Sequence, residues 1–211
     1  MLESGRHGKN MMESTLPARS RSPEERTRDR RRLRQLLRER SFIHGEFRLA
    51  SGRISKVYFD CKRVTLDPEG LALVADLMLD LVDDLRAEGC AVEAVGGPSI
   101  GADPIAAAMA LRSFQRKPPI PAFLIRQAAK DHGTGKTIEN SIPPGTRVLV
   151  VEDVITSGRS VMEAITRMRA SGLHPAAVAC IVDREAGGRE ALAPHRLISL
   201  FTRSQLEPAV S

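Results

Sequence analysis

Short apolar segments alternate with helical segments along most of the chain, and this alternation limits the folds that the chain can adopt. In proteins this order produces a parallel sheet whose faces are covered by helices. We therefore predict an α/β fold with a parallel sheet and helices on both faces. The predicted strands are residues 91–95, 122–125, 148–151, 177–182 and 197–201, with helices at about residues 102–113 and 160–171 between them.

The first third of the chain carries helix and hairpin signals. Residues 22–25, Ser-Pro-Glu-Glu, combine a cap hydroxyl, a proline at the first helical position and a glutamate that can reach back to the cap, so a helix should run to about Arg40. A hairpin follows, with strands at 46–49 and 57–61 and a turn at Ser51-Gly52, and forms a small hood. The strongest helical pattern begins at Asp67 and ends at Gly89.

The net charge of +6 is unevenly distributed. Residues 1–40 carry 12 Lys and Arg against 6 Asp and Glu, whereas residues 41–211 carry 20 of each. The basic segment contains no aromatic residue that could stack on a base, which argues against nucleic-acid binding. Residues 1–21 are polar and without periodicity, so we expect a disordered basic tail followed by one domain over residues 22–211.

The cysteines and the hydropathy pattern bear on location. Cys61, Cys90 and Cys180 lie far apart and form no CxxC pair, which argues against a zinc site or a disulfide framework. No apolar run approaches the roughly 20 residues of a membrane span, and no secretory signal is evident. We expect a cytoplasmic protein without a membrane partner.

The segment 148–160, VLVVEDVITSGRS, carries the main chemical signal. Four apolar residues lead into two carboxylates, and Thr156, Ser157 and Gly158 then precede a helix. Ligands bind at the carboxyl ends of parallel strands, and the first turn of a helix offers unpaired N–H groups to an anion. We predict a phosphate site in the loop, and ribose hydroxyls or Mg²⁺ facing Glu152 and Asp153. The alternative is that the carboxylates are only a polar strand end.

This segment resembles the phosphoribosyl-diphosphate fingerprint of type I phosphoribosyltransferases. The resemblance implies an enzyme that moves ribose 5-phosphate from its diphosphate to a nitrogen of an acceptor, with Mg²⁺ held mainly by substrate phosphates and ribose hydroxyls rather than by protein ligands. The residues that it assigns to this substrate in the fingerprint are Glu152, Asp153, Val154, Ile155, Thr156, Ser157, Gly158, Arg159 and Ser160.

Two further segments are similar to those of the orotate phosphoribosyltransferase family. The hairpin places Tyr58 and Phe59 where that family has aromatics near the pyrimidine, although adjacent strand residues face opposite ways and one of them can be core. Arg184, in Val-Asp-Arg-Glu followed by Gly187-Gly188, matches the arginine that meets the orotate carboxylate. With Thr156, these residues are the predicted orotate contacts.

A third similar segment is residues 126–133, RQAAKDHG, which resembles the family's mobile loop. The resemblance implies that Arg126, Lys130 and His132 bind the pyrophosphate, that Lys130 and His132 act in catalysis together with Asp153, and that a homodimer shares its loops. Basic groups there would stabilise the departing pyrophosphate.

The chain departs from the family pattern at three positions. Several relatives carry a lysine in place of Ala50 and Gly101, and a second basic residue in place of Gln127, which puts individual phosphate contacts in doubt. The glycines of residues 96–99 are still expected to form a turn near the pyrophosphate.

The predicted activity is the transfer of ribose 5-phosphate to orotate, giving orotidine 5′-phosphate and pyrophosphate. One alternative is a phosphoribosyltransferase for another base, although a neutral base offers Arg184 no carboxylate. The other is a regulatory binding module that retains the pocket and uses the basic tail on nucleic acid.

Residues 133–137 resemble the end of a Walker phosphate-binding loop. The first glycine of that motif is missing, because position 130 is Lys130, so the stretch does not indicate a Walker loop.

Overall fold

The computed structural model describes residues 21–48, 54–116, 118–126 and 137–207. Its elements follow the predicted alternation of strands and helices. In chain order they are α1 (Pro23–Arg40), β1 (Phe42–Arg48), β2 (Ile54–Phe59), α2 (Lys62–Thr65), α3 (Pro68–Ala87), β3 (Ala94–Pro98), α4 (Ala102–Arg116), β4 (Ala122–Ile125), β5 (Ile138–Glu139), β6 (Arg147–Ile155), α5 (Arg159–Ala170), β7 (His174–Asp183), α6 (Gly188–Ala191), β8 (Leu197–Thr202) and α7 (Arg203–Leu206).

Six strands form the main sheet in the order β5-β4-β3-β6-β7-β8. All neighbouring pairs are parallel except β4 and the short edge strand β5, which are antiparallel. Successive side chains on β6 point to opposite faces of the sheet. Leu149 and Val151 pack with α1, α3 and α4, whereas Val148 and Val150 pack with α5. The predicted α/β fold with helices on both faces is confirmed.

Helix α1 begins as the sequence predicts. The Ser22 hydroxyl accepts from the backbone N–H of Glu25, and the Glu25 carboxylate accepts from the N–H of Ser22, which completes a capping box. Its three buried leucines, Leu33, Leu36 and Leu37, join the core.

Arg21 lies within the segment that the sequence assigned to the tail, and it has defined contacts. Its guanidinium pairs with Asp29 and, at 2.8 Å, with Asp80. Burial raises the pKa of Asp80, and the surrounding cations, Arg116 first, act in the opposite direction. This cluster fixes the start of α1 to α3 and α4. The other tail residues, 1–20, lie outside the described part of the chain.

Strand β3 differs from its prediction, as does the glycine turn expected over residues 96–99. The strand covers Ala94–Pro98, so Gly96 and Gly97 lie inside it and the turn follows at residues 99–101. Both glycines allow close strand packing, because a β-carbon on Gly96 would overlap the Phe123 carbonyl oxygen, and one on Gly97 would overlap that of Val151.

Strand β6 extends beyond its predicted end at Val151. Glu152 pairs with Cys180, and the ladder continues until Ile155 pairs with Asp183. The two carboxylate residues therefore belong to the strand, and the loop begins at Thr156. Tertiary pairing with β7 outweighs the low strand propensity of acidic residues.

The hairpin also begins earlier than predicted, at Phe42 rather than at residue 46. Its strands are antiparallel, and Phe42 lies opposite Phe59. The predicted turn at Ser51-Gly52 lies outside the described residues.

No helix in the described ranges is both long and apolar enough to cross a membrane.

Candidate active site

The carboxyl ends of β3, β4, β6 and β7 lie along one edge of the sheet, because these strands are parallel. At this edge the chain leaves each strand through a polar segment, and it is here that open α/β sheets bind ligands. The predicted fingerprint residues, Arg126 and Arg184 all lie along it. The site is therefore assembled by topology from segments that are far apart in sequence.

The loop after β6 forms a concave, open pocket. The pocket measures about 320 Å³, counting its open mouth, and its lining is Glu152, Val154, Ile155, Thr156, Ser157, Gly158, Arg159, Ser160 and Val161. Gly158 has φ 75° and directly precedes α5, whose first turn has no side-chain cap. The unpaired N–H groups of that turn, together with the hydroxyls of Thr156, Ser157 and Ser160, suit an anion with several oxygen atoms.

Gly188 packs closely against the first residues of this loop. A β-carbon there would lie 2.5 Å from Cγ2 of Ile155 and 2.7 Å from the Thr156 carbonyl oxygen. Gly187, with φ 88°, provides the left-handed turn that brings Gly188 into position. The glycine pair noted in the sequence therefore holds the shape of the phosphate loop.

Glu152 and Asp153 lie beside this pocket as a pair of interacting carboxyls. Glu152 is 7% exposed, and its Oε1 accepts from the Asp153 backbone N–H at 3.0 Å. Burial, followed by the neighbouring Asp153 charge, raises the pKa of Glu152 to about 9. At neutral pH Glu152 therefore keeps its proton.

Gly101 lies directly against the two carboxyls. A β-carbon on Gly101 would overlap Oε1 of Glu152 and lie 2.6 Å from Oδ1 of Asp153. Any side chain at this position requires the carboxyls to move.

Arg184 lies next to the phosphate loop through the backbone. Its N–H donates to the Ile155 carbonyl at 2.8 Å, one residue before Thr156. Its half-buried guanidinium has no hydrogen bond or ion pair within the described residues, and burial lowers its pKa. It lines a cleft of about 360 Å³, counting the open mouth, whose other lining residues are Phe42, Phe59, Val182, Arg203, Leu206 and Glu207.

The two hairpin aromatics have different surroundings. Phe59 packs edge-on against Phe42, with ring centroids 5.0 Å apart, and lines the Arg184 cleft. Tyr58 is 39% exposed and lies 5.4 Å from the Phe47 ring. The two side chains face opposite sides of the strand, as the alternation predicts.

Arg126 lies at the end of β4. Its backbone N–H donates to the Thr137 carbonyl at 2.9 Å, and its Nε lies 2.7 Å from Oε1 of Glu139. Lys130 and His132, and with them Gln127, lie outside the described residues, as does Ala50. Within the described residues, no cluster of three or more His, Cys, Asp or Glu could hold a metal ion.

The comparisons with known proteins agree with this geometry. The phosphoribosyl transferase domain family matches residues 62–199. The orotate phosphoribosyltransferase of Aquifex aeolicus is 40% identical over 84% of this chain and 97% of its own length. The chain belongs to the orotate phosphoribosyltransferase family. The family and enzyme class predicted from the sequence are thereby confirmed.

Solved structures of orotate phosphoribosyltransferases have the same fold. That of Mycobacterium tuberculosis in complex with Fe(III) dicitrate has a TM-score of 0.74 and 37% identity, covering 85% of this chain and 99% of the other. The same enzyme in complex with 5-phospho-α-D-ribosyl 1-diphosphate has a TM-score of 0.70 and 34% identity, covering 84% of this chain and 98% of the other.

Besides the aliphatic residues Val182 and Leu206, the sequence reasoning missed three cleft residues: Phe42, Arg203 and Glu207. Phe42 lies in the part of β1 that was not predicted as strand. Arg203 follows β8, another parallel strand of the main sheet. The rule that polar residues after parallel strands gather at one edge, which drew attention to Glu152 and Arg184, would also have identified it.

Proposed function

We propose that the chain transfers ribose 5-phosphate from 5-phospho-α-D-ribose 1-diphosphate to orotate, giving orotidine 5′-phosphate and pyrophosphate in de novo pyrimidine (UMP) biosynthesis. The observation that carries this reaction is the Arg184 guanidinium, which has no hydrogen bond or ion pair within the described residues and lies in a partly apolar cleft, joined through Ile155 to the loop after β6. A planar carboxylate suits a guanidinium fork, whereas a neutral base would leave it unpaired.

In this reaction the bond from the ribose C1 to the diphosphate oxygen breaks, and pyrophosphate leaves with the bonding electron pair. A bond from C1 to a ring nitrogen of orotate forms as that nitrogen loses its proton. The loop residues Thr156–Ser160 hold the 5′-phosphate, and Arg184 with Phe59 positions the pyrimidine, with Thr156 and Tyr58 at its border. The protein therefore acts by holding the two reactants in line and by stabilising charge. Arg126, Lys130 and His132 face the leaving pyrophosphate.

The Glu152–Asp153 pair suits ribose hydroxyls and, through them, a magnesium ion on the substrate. Burial and the neighbouring Asp153 charge together raise the pKa of Glu152, so a free negative charge on Glu152 is disfavoured. Hydroxyl donors or a divalent cation relieve that repulsion. When bound with the diphosphate, Mg²⁺ neutralises part of its negative charge. Asp153, the less buried of the two, is placed to contact the ribose during the reaction.

A homodimer is supported by an apolar stripe along α4 and the turn before it. The α4 stripe consists of Ala107, Leu111 and Phe114, which recur at helical spacing on α4, and of Ile100 in the preceding turn; Ile100, Leu111 and Phe114 are 73%, 65% and 63% exposed. Contiguous exposed apolar residues commonly mark protein interfaces. A second copy of the chain covering this stripe would bring the two active-site edges into one assembly.

We also propose that residues 22–211 form one catalytic domain in the cytoplasm. All three cysteines are free thiols, as a reducing compartment permits. Arg21 should stay with this domain because it pairs with Asp29 and Asp80. A chain that starts at Arg21 should retain its turnover, whereas a regulatory module that depends on its basic tail would lose its partner.

The decisive experiment measures the loss of orotate absorbance in the presence of phosphoribosyl diphosphate and Mg²⁺. We expect orotate to be consumed and uracil, adenine and hypoxanthine to remain unchanged in parallel reactions. Consumption of one of the other bases instead would identify a different acceptor, and no consumption of any base would favour the regulatory module.

A further inference from the structure

The Arg184 cleft contains a second guanidinium that the proposed reaction does not use. Arg203 is the first residue of α7 and lines the cleft together with Arg184. The apolar part of the wall is formed by Phe42, Phe59 and Leu206. Two like charges thus share a cleft in which water is partly replaced by aromatic and aliphatic groups.

The positive charge of the two arginines is only partly compensated, because Glu207 is the one carboxylate among the described residues that line the cleft. The pKa of Arg184 is lowered first by burial and next by the positive charge of Arg203. A carboxylate between the two guanidiniums would reverse the second effect and also supply the hydrogen-bond acceptors that Arg184 lacks. The cleft is therefore suited to a ligand that carries a negative charge on a flat apolar ring.

Arg203 is held in place, yet it retains donors for a ligand. Its Nε donates to Oε1 of Glu207 at 2.6 Å, and this is its only side-chain hydrogen bond within the described residues. A guanidinium has five N–H donors, so the terminal nitrogens can meet a second carboxylate. Glu207 also lines the cleft, and its charge opposes the entry of an anion.

The segment of Arg184 anchors α7 directly. Glu185 accepts from the Ser204 backbone N–H at 2.9 Å and from the Ser204 hydroxyl at 3.0 Å. Strand pairing adds a second link, because Asp183 lies beside Thr202 in the β7–β8 ladder. Arg184 and Arg203 therefore each lie next to a residue of the Glu185–Ser204 contact, and their spacing is fixed by the fold.

We propose that Arg203 is a second acceptor-recognition residue, which binds the carboxylate of the pyrimidine acceptor together with Arg184, and that Glu207 competes with that carboxylate. The inference rests on the proposed function, since it assumes that the acceptor is orotate. Because Arg203 is about half exposed, its contribution lies mainly in the capture of the acceptor and less in the chemical step.

The test compares steady-state kinetics of Arg203→Gln, Arg203→Lys and Glu207→Gln in the full chain. We expect Arg203→Gln to raise the KM for orotate about three- to tenfold, with a much smaller effect on kcat and on the KM for phosphoribosyl diphosphate. Arg203→Lys keeps the charge, so its KM for orotate should lie between those of Arg203→Gln and the wild-type chain. Glu207→Gln should lower the KM for orotate about twofold.

The matched control is Arg196→Gln. Arg196 is an exposed arginine paired with Glu88, and it precedes β8, at the opposite edge of the sheet. Its loss should leave the KM for orotate unchanged. An unchanged KM in Arg203→Gln, or an equal rise in Arg203→Gln and Glu207→Gln, would overturn the inference, because the ion pair would then only hold α7. If the unchanged chain consumes no orotate, the proposed function itself fails.

Discussion

At the scale of single residues, Arg184 has two unfavourable properties that are uncommon in arginines with a purely structural role. It is partly buried, and its guanidinium has no partner within the described residues. A buried cation is normally paired, because desolvation is otherwise uncompensated. The carboxylate of the proposed acceptor would pair with the Arg184 guanidinium in this cleft.

Replacement of Arg184 by alanine should lower kcat/KM for orotate about tenfold or more, because a charge-assisted hydrogen bond to the acceptor is lost. Lysine at this position should recover only part of the loss, since it keeps the charge but not the planar fork. Arg196→Gln again serves as the control. Kinetics of Arg184→Ala that match the unchanged chain would contradict the proposed role.

The buried environment of Glu152 leads to a prediction about how the stability of the chain depends on pH. Its pKa is raised from 4.5 to about 9 in the folded chain, so the folded state holds a proton that the unfolded state has released. Stability without ligand should therefore fall as the pH rises from about 4.5 towards 9.

The variant Glu152→Gln removes this dependence, because the amide carries no ionisable proton. The free energy of unfolding of Glu152→Gln minus that of the wild-type chain should be larger at pH 8 than at pH 5.5, as measured by urea unfolding of the ligand-free proteins. Glu190→Gln makes the same chemical change at an exposed position and should show no such trend. An equal difference at both pH values for Glu152→Gln would exclude a raised pKa.

At the scale of elements, the long helices α1, α3, α4 and α5 were predicted well because their signals are local, whereas the four-residue helices α2, α6 and α7 were not predicted. Asp67 caps α3 by accepting from the Gly70 N–H at 2.9 Å, and Pro68 occupies the first helical position. Along this helix Val74, Leu77, Met78 and Leu85, which recur at helical spacing, are buried in the core. Caps and helical periodicity depend on neighbours within one or two turns, which the sequence specifies directly.

Loss of this cap should destabilise the chain. Asp67→Ala should reduce the free energy of unfolding by about 1 kcal/mol, as measured by urea denaturation. Asp67→Asn keeps an oxygen acceptor for Gly70 and gives up the ion pair with Arg40, whose Nη1 lies 2.8 Å from Oδ2, so it should cost less. Equal losses in both variants would assign the effect to the ion pair instead.

Strand ends were predicted less well than helices, and for a physical reason. Glu152 and Asp153 belong to β6 because β7 continues to pair with them, and Gly96 and Gly97 belong to β3 because neighbouring backbones approach closely there. Both facts concern contacts between segments distant in sequence. Strand propensity within a segment does not contain that information.

At the scale of the whole molecule, the parallel sheet brings the ends of β6, β7 and β8 together at one edge, and the α4 stripe remains exposed. If two chains cover this stripe, a charge placed within it should separate them. Leu111→Glu should shift the protein to a smaller species in size-exclusion chromatography with light scattering, and orotate turnover should fall with it.

The control for this prediction is Thr166→Glu, which adds the same charge at an exposed position of α5. It should leave the assembly unchanged. A dimer that persists in Leu111→Glu would show that another surface joins the copies, and a chain that is monomeric before any change would remove the proposed dimer.

The sequence by itself determined the α/β class and the starts of the long helices, because each depends on residues close together in the chain. It also determined the family, which the comparison confirms, and its assignment of an anion site after β6 and of Arg184 to the acceptor stays a prediction. Only the tertiary structure decided that Gly101 lies against Glu152 and Asp153, that Gly188 shapes the loop, and that Arg203 shares a cleft with Arg184. These contacts arise where parallel strands place distant segments side by side, and no local pattern encodes which side chains then meet.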